Sequence, residues 1–184
     1  MRVLHFLLEL TAILILSTNT FSQRGTLDYS FGDSGKVTTK FIATSCVAFA
    51  VALQNDNKIV VTGGNGYTGV HPYFNIATSR YLPDGRLDSS FGIDGKIVSQ
   101  VGNDSKGNAI VIQPDKKILI AGDIYVGDED GFGVHSFGLL RYLPNGFPDS
   151  SFGIKGRVKT TLKGGYAWLS SLSLQTDNKI IAAG

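Results

Sequence analysis

Apolar residues in this chain fall into short runs separated by turns rich in Gly, Asp, Asn and Pro, the pattern of strands rather than helices. Four such runs recur in order. The first covers 36–41, 96–101 and 157–162, and the second 46–54, 108–113 and 166–175. The third covers 58–63, 117–122 and 179–184, and the fourth 75–82 and 137–143. Along the run 46–54, Val47, Phe49, Val51 and Leu53 alternate with Cys46, Ala48, Ala50 and Ala52. Side chains alternate across a strand, so this run predicts one face of large apolar groups and one of small ones. A half-solvated sheet would carry polar residues on one side. Two apolar faces predict a sheet packed between two others, large residues against small.

Three landmarks keep step with these runs. Leu27-Asp28-Tyr29-Ser30-Phe31-Gly32 returns as Leu87-Asp88-Ser89-Ser90-Phe91-Gly92 and as Pro148-Asp149-Ser150-Ser151-Phe152-Gly153. Gln54-Asn55-Asp56-Asn57-Lys58-Ile59 returns from Gln113 and from Gln175, and Arg80-Tyr81-Leu82-Pro83-Asp84-Gly85 returns from Arg141. The repeat is therefore about sixty residues long, and self-similarity at a fixed period of this kind marks a repeat architecture. In the Pro-Asp-Gly and Pro-Asn-Gly turns, proline presets φ and glycine tolerates positive φ. The Asp of the Asp-x-Ser-Phe-Gly landmark suits an Asx turn, accepting from the N–H two residues on. Phe31, Phe91 and Phe152 are then predicted to wedge between neighbouring sheets.

The three landmarks together resemble the delta-60 repeat, a bacterial β-propeller repeat of unknown function, over residues 24–184. Pro148 stands where that pattern has Leu, and Asn57 and Lys116 stand where it commonly has glycine. The resemblance implies extracellular or cell-surface proteins with many repeats, and it implies no catalytic residues. The expected fold is all-β: tandem four-stranded antiparallel blades of a propeller. Propellers close with about four to eight blades. The third repeat stops before a fourth strand, so an incomplete propeller of two to three blades is expected. Further blades of a longer protein, or several copies forming one ring, would complete it.

The remaining composition narrows the function classes. Glycine is abundant, at 23 residues, and methionine nearly absent, which suits short strands and tight turns. The formal net charge is +2 with the charges scattered, so no basic patch for nucleic acid is visible. Cys46, the only cysteine, can form neither an internal disulfide nor a zinc site, and reads as a small core residue. Residues 1–22 read as a secretory signal: Arg2 first, then an apolar stretch over 10–16, then small Thr20 and Ser22 before a cut at Gln23. That stretch is shorter than the ~20 residues of a membrane span. The expected organisation is thus a signal over 1–22 and repeats over 23–184.

Three strings invite a chemical reading. Gly32-Asp33-Ser34-Gly35 matches the surroundings of a serine-protease nucleophile, but the same positions elsewhere read Gly-Ile-Asp-Gly and Gly-Ile-Lys-Gly, so Ser34 reads as a turn residue. Gly64-Asn65-Gly66-Tyr67-Thr68-Gly69 matches a dinucleotide fingerprint, yet Pro72 and a strand follow in place of the helix that would hold the pyrophosphate. Asp123, Asp128, Glu129 and Asp130 form an acidic group between the third and fourth runs, readable as a surface Ca²⁺ site or as a solvated loop. The loops there differ between repeats while the strands keep step, and variable loops on a scaffold are where binding resides. Tyr67, His71, Tyr73, Tyr125, Phe132 and His135 gather in them, placed to stack on sugars or peptides or to cover the blade edge.

The expected function is a secreted or cell-surface propeller that binds, adheres or scaffolds without catalysis. The other reading is the propeller portion of a larger extracellular enzyme acting on polysaccharide. The partners expected are an extracellular protein or glycan and the remaining blades of the same protein.

Overall fold

The computed structural model describes residues 25–67, 73–127, 133–164 and 166–184. Among them there is no helix. Ten strands form three antiparallel sheets. The first sheet runs β1 (Ser45–Leu53), β2 (Ile59–Tyr67), β3 (Tyr73–Tyr81), β4 (Lys96–Ser99) in spatial order. The second repeats it with β5 (Asp104–Ile112), β6 (Ile118–Gly127), β7 (Gly133–Tyr142), β8 (Arg157–Thr160). The third holds β9 (Ser171–Leu174) and β10 (Ile180–Ala183). These are two four-stranded propeller blades and part of a third, not closed into a ring.

The sheets stack through their faces. β1, β2 and β3 all pack on β5, and β5 packs on β9. The main core lies between the first two sheets: Val60 and Ile76 from one side, Ile118, Ile120, Leu140 and Tyr142 from the other, with Phe91 among them. A smaller core joins the second sheet to the third through Ala109, Ala121 and Leu169. Phe91 is fully buried, as a wedge should be. Burying such a ring is worth roughly 1.5–3 kcal/mol.

Five sequence-based expectations need correction. Cys46 is exposed and is not a core residue. The run 96–101 was expected to open the second repeat; its strand β4 instead closes the first sheet, hydrogen-bonded to β3 from Ser79–Lys96 to Ile76–Ser99. The run 36–41 correspondingly belongs to neither sheet. It lies as an extended strap with Lys36 in isolated bridges only. The third run is longer than expected in the first two repeats, so Gly64, Gly66 and Tyr67 lie in β2 and not in a loop, whereas the second run of the third repeat is cut down to β9. Finally, the alternation along 46–54 is not continuous. Register shifts between Ala48 and Ala50, and likewise between Gly107 and Ala109, mark a β-bulge in each innermost strand. Glycine faces each bulge for a steric reason: a Cβ on Gly63 would run into the Val47 carbonyl, and one on Gly122 into that of Lys106.

The turns hold to their chemistry. Asp28, Asp88 and Asp149 each accept from the N–H of the Ser two residues on, at 3.0–3.1 Å. Ser34, Asp94 and Lys155 occupy one left-handed turn position, with φ of 54°, 50° and 51°. The protease-like string is thus a turn, and the Ser34 hydroxyl donates to the neighbouring Asp33.

Candidate ligand-binding end of the blades

The β2–β3 and β6–β7 hairpins project from the same end of their blades, because the two sheets repeat the same order and register. Tyr67 and Tyr73 face each other across the end of the first hairpin, ring centroids 5.4 Å apart. On the second, Tyr125 and His135 are cross-strand partners with rings 4.9 Å apart. These four residues sit on strands, so strand register rather than loop geometry sets their spacing. His71 and Phe132, expected beside them, lie outside the described residues.

Two aromatics complete the group. Tyr166 and Trp168, in the segment leading to β9, bring their rings to 6.3 and 5.5 Å from His135 and 6.1 Å from each other. Both are well exposed, Tyr166 at 72% and Trp168 at 55%. Tyr125, His135, Tyr166 and Trp168 thus form one aromatic platform across the junction of the second and third sheets. Beneath it the His135 Nδ1 is buried with no hydrogen-bond partner. Exposed aromatic faces beside an unused ring nitrogen suit a ligand that combines a flat apolar face with hydroxyl groups.

Asp123 supports this platform from below. It lies in β6, where one carboxylate oxygen accepts from the Asn108 side-chain amide and the other from the Leu169 N–H, both at 2.7 Å. Asn108 also donates to the Leu169 carbonyl. Asp123 therefore ties the second sheet to the segment that carries Trp168. Its companions in the acidic group, Asp128, Glu129 and Asp130, lie outside the described residues. Among those described, no group of three or more His, Cys, Asp or Glu converges on a metal position. Nor is any described helix long and apolar enough to cross a membrane.

At the opposite end, each of the two complete blades carries a charged lock. Arg80 donates through Nε to Asp88 at 2.8 Å and through a terminal nitrogen to Ser90, and its guanidinium lies 4.6 Å over the Phe91 ring. Lys58 adds a second cation to Asp88 at 3.0 Å. Arg141, Asp149, Ser151, Phe152 and Lys117 repeat this arrangement, with the same 2.8 Å contact and a ring distance of 4.4 Å. Burial raises the Asp88 carboxyl, but hydrogen bonds from Ser90 and Lys58 and the charge of Arg80 outweigh it, leaving the group far below the usual carboxylate range. Asp149 is lowered similarly, first by the Ser151 hydroxyl.

Four-stranded antiparallel sheets stacked face to face, each locked by the same Arg–Asp–Phe arrangement, are blades of a β-propeller. The model of the family described as a domain of unknown function (DUF5122) beta-propeller matches residues 54–91 and 113–152, one stretch in each complete blade. Comparison with curated proteins and with solved structures found no match.

Proposed function

We propose that this protein is a secreted or surface-exposed propeller that acts as a non-catalytic binding scaffold, with the platform of Tyr125, His135, Tyr166 and Trp168 as its ligand contact. The observation that carries the reading is the exposure of Tyr166 and Trp168 around a buried, unpartnered His135 nitrogen. Rings on a rigid sheet offer contact area with few torsions to freeze, and this favours recognition over chemistry. The ligand class that fits is a saccharide, whose ring face stacks on the exposed Tyr166 and Trp168 rings.

The test is a glycan array on the purified protein, followed by titration of any sugar retained. Trp168→Ala should weaken binding at least about tenfold, the order expected for loss of a stacked ring. Binding that survives both Trp168→Ala and Tyr166→Ala would refute the platform. Secretion rests on the residue pattern of 1–22 and is tested separately, by N-terminal sequencing of exported protein. The mature chain should begin at Gln23, and retention of residues 1–22 would refute export.

A further inference from the structure

The aromatic platform lies where the segment leading to β9 meets the β6–β7 hairpin. One junction earlier, β5 meets the β2–β3 hairpin in the same way. Counted back from Gln113 and Gln175, Asp104 matches Tyr166 and Lys106 matches Trp168. Counted back from Arg80 and Arg141, Phe74 matches His135. The contacts match as well. The Lys106 ammonium lies 4.5 Å from the centre of the Phe74 ring, as the Trp168 ring lies 5.5 Å from that of His135. Each junction sets an innermost-strand position against a hairpin, with charged side chains at the first and aromatic ones at the second.

At the first junction, Asp104 Oδ1 accepts from the Phe74 N–H at 2.7 Å, and this fixes the carboxylate. Its Oδ2 stands 4.0 Å from the Lys106 Nζ, too far for a hydrogen bond. Among the described residues neither Oδ2 nor Nζ has a hydrogen-bond partner. The two side chains are 33% and 35% exposed, so both reach solvent. A carboxylate oxygen beside an ammonium offers an acceptor and donors together. Neighbouring hydroxyls of a sugar ring use both, one donating to the carboxylate and the next accepting from the ammonium. The two junctions also lie close together. β5 packs on β9, and the Asn108 amide, just beyond Lys106, donates at 2.9 Å to the carbonyl of Leu169, beside Trp168. Stacked sheets are about 10 Å apart, the length of a disaccharide.

We propose that Asp104 and Lys106 form a second sugar subsite beside the platform, so that the protein takes an oligosaccharide. One ring stacks on Trp168 and Tyr166, and the next presents adjacent hydroxyls to Asp104 and Lys106. The subsite rests on the saccharide reading of the platform. It sets what that reading leaves open, the length of the sugar chain and its hydroxyl pattern.

The probes are the mono-, di- and trisaccharides of glucose, galactose, mannose and N-acetylglucosamine, arrayed and then titrated into the intact protein by calorimetry. At least one series should bind at least about tenfold more tightly as the disaccharide than as the monosaccharide. Lys106→Met keeps the aliphatic stem on Phe74 and removes the ammonium. It should weaken that disaccharide about tenfold, the scale of a hydrogen bond to a charged group, and leave the monosaccharide unchanged. Asp104→Asn, whose amide oxygen still accepts from the Phe74 N–H, should act in the same direction. Trp168→Ala should weaken both sugars, and unchanged circular dichroism of each variant separates lost binding from lost folding. Equal affinity for mono- and disaccharide would overturn the second subsite and leave the platform standing. So would disaccharide binding that falls in Trp168→Ala but is untouched in Lys106→Met. Retention of no series would overturn platform and subsite together.

Discussion

The first and second sheets are built from matching residues, yet the same face is covered in one and open in the other. On β5 and β6, Ile110 and Ile112 pack on the main core, while Ile118 and Ile120 belong to it and are fully buried. Their counterparts on the first sheet are Val51 and Leu53, exposed at 66% and 64%, and Ile59 and Val61, half-buried. The residues on both sheets are apolar, so the difference does not come from composition. It comes from what lies against the face: a whole sheet for the second, and only the strap 31–41 for the first. Strand hydrogen bonds are complete within each sheet, but stability in this architecture is shared through neighbours.

The sharpest way to break this comparison is a pair of identical substitutions. Phe91→Ala removes a fully buried ring between two sheets and should cost about 3–5 kcal/mol in chemical denaturation. Phe31→Ala removes the equivalent, half-covered ring at the start of the strap and should cost about 1 kcal/mol. Equal losses would mean that the neighbouring sheet contributes nothing.

The charged locks give the next test. Asp88→Ala strands Arg80 in a buried site and should destabilise by about 3 kcal/mol, whereas Asp28→Ala, whose exposed carboxylate meets only Ser30, should leave the denaturation midpoint unchanged. The same locks set the pH dependence. The Asp88 and Asp149 carboxyls are depressed in the folded protein. Their contribution is therefore complete above the unfolded aspartate value of about 3.9 and is lost as pH falls through the lower folded values. Melting temperature should stay level from neutral pH down to about pH 4 and fall below it, and Asp88→Asn should flatten that fall.

A smaller effect sharpens the turn reading. Asn57, Lys116 and Asn178 hold φ of 62°, 66° and 65° in matching turns. Left-handed backbone costs a residue with a Cβ roughly 1 kcal/mol, and glycine avoids the cost. Lys116→Gly should stabilise by about 0.5–1 kcal/mol in the same denaturation assay.

What could be read from the residues alone was the local part. The Asx turns at Asp28, Asp88 and Asp149 and the wedge at Phe91 follow from short strings, because the forces that form them act within a few residues or on one bulky ring. The phase of the sheets was not legible. A repeat has no natural starting point in sequence, so nothing local says whether 96–99 opens one blade or closes another. The bulges were hidden for a related reason, since they depend on which residue faces Gly63 or Gly122 across the ladder. Tyr166 and Trp168 were missed because they meet His135 only when the third sheet stacks on the second. The Arg80–Asp88 and Arg141–Asp149 locks did leave a trace, as both recur eight residues apart. Pairing that arginine with that aspartate would have found them.

A covering neighbour, and not the strand ladder itself, sets the stability of each blade. Hydrogen exchange at matched central strands tests it most directly, because residues 59–62 and 118–121 are both bonded on two sides. Residues 118–121 should exchange at least about tenfold more slowly, as local opening is easier where fewer apolar contacts are lost. Equal protection, or slower exchange at 59–62, would contradict it.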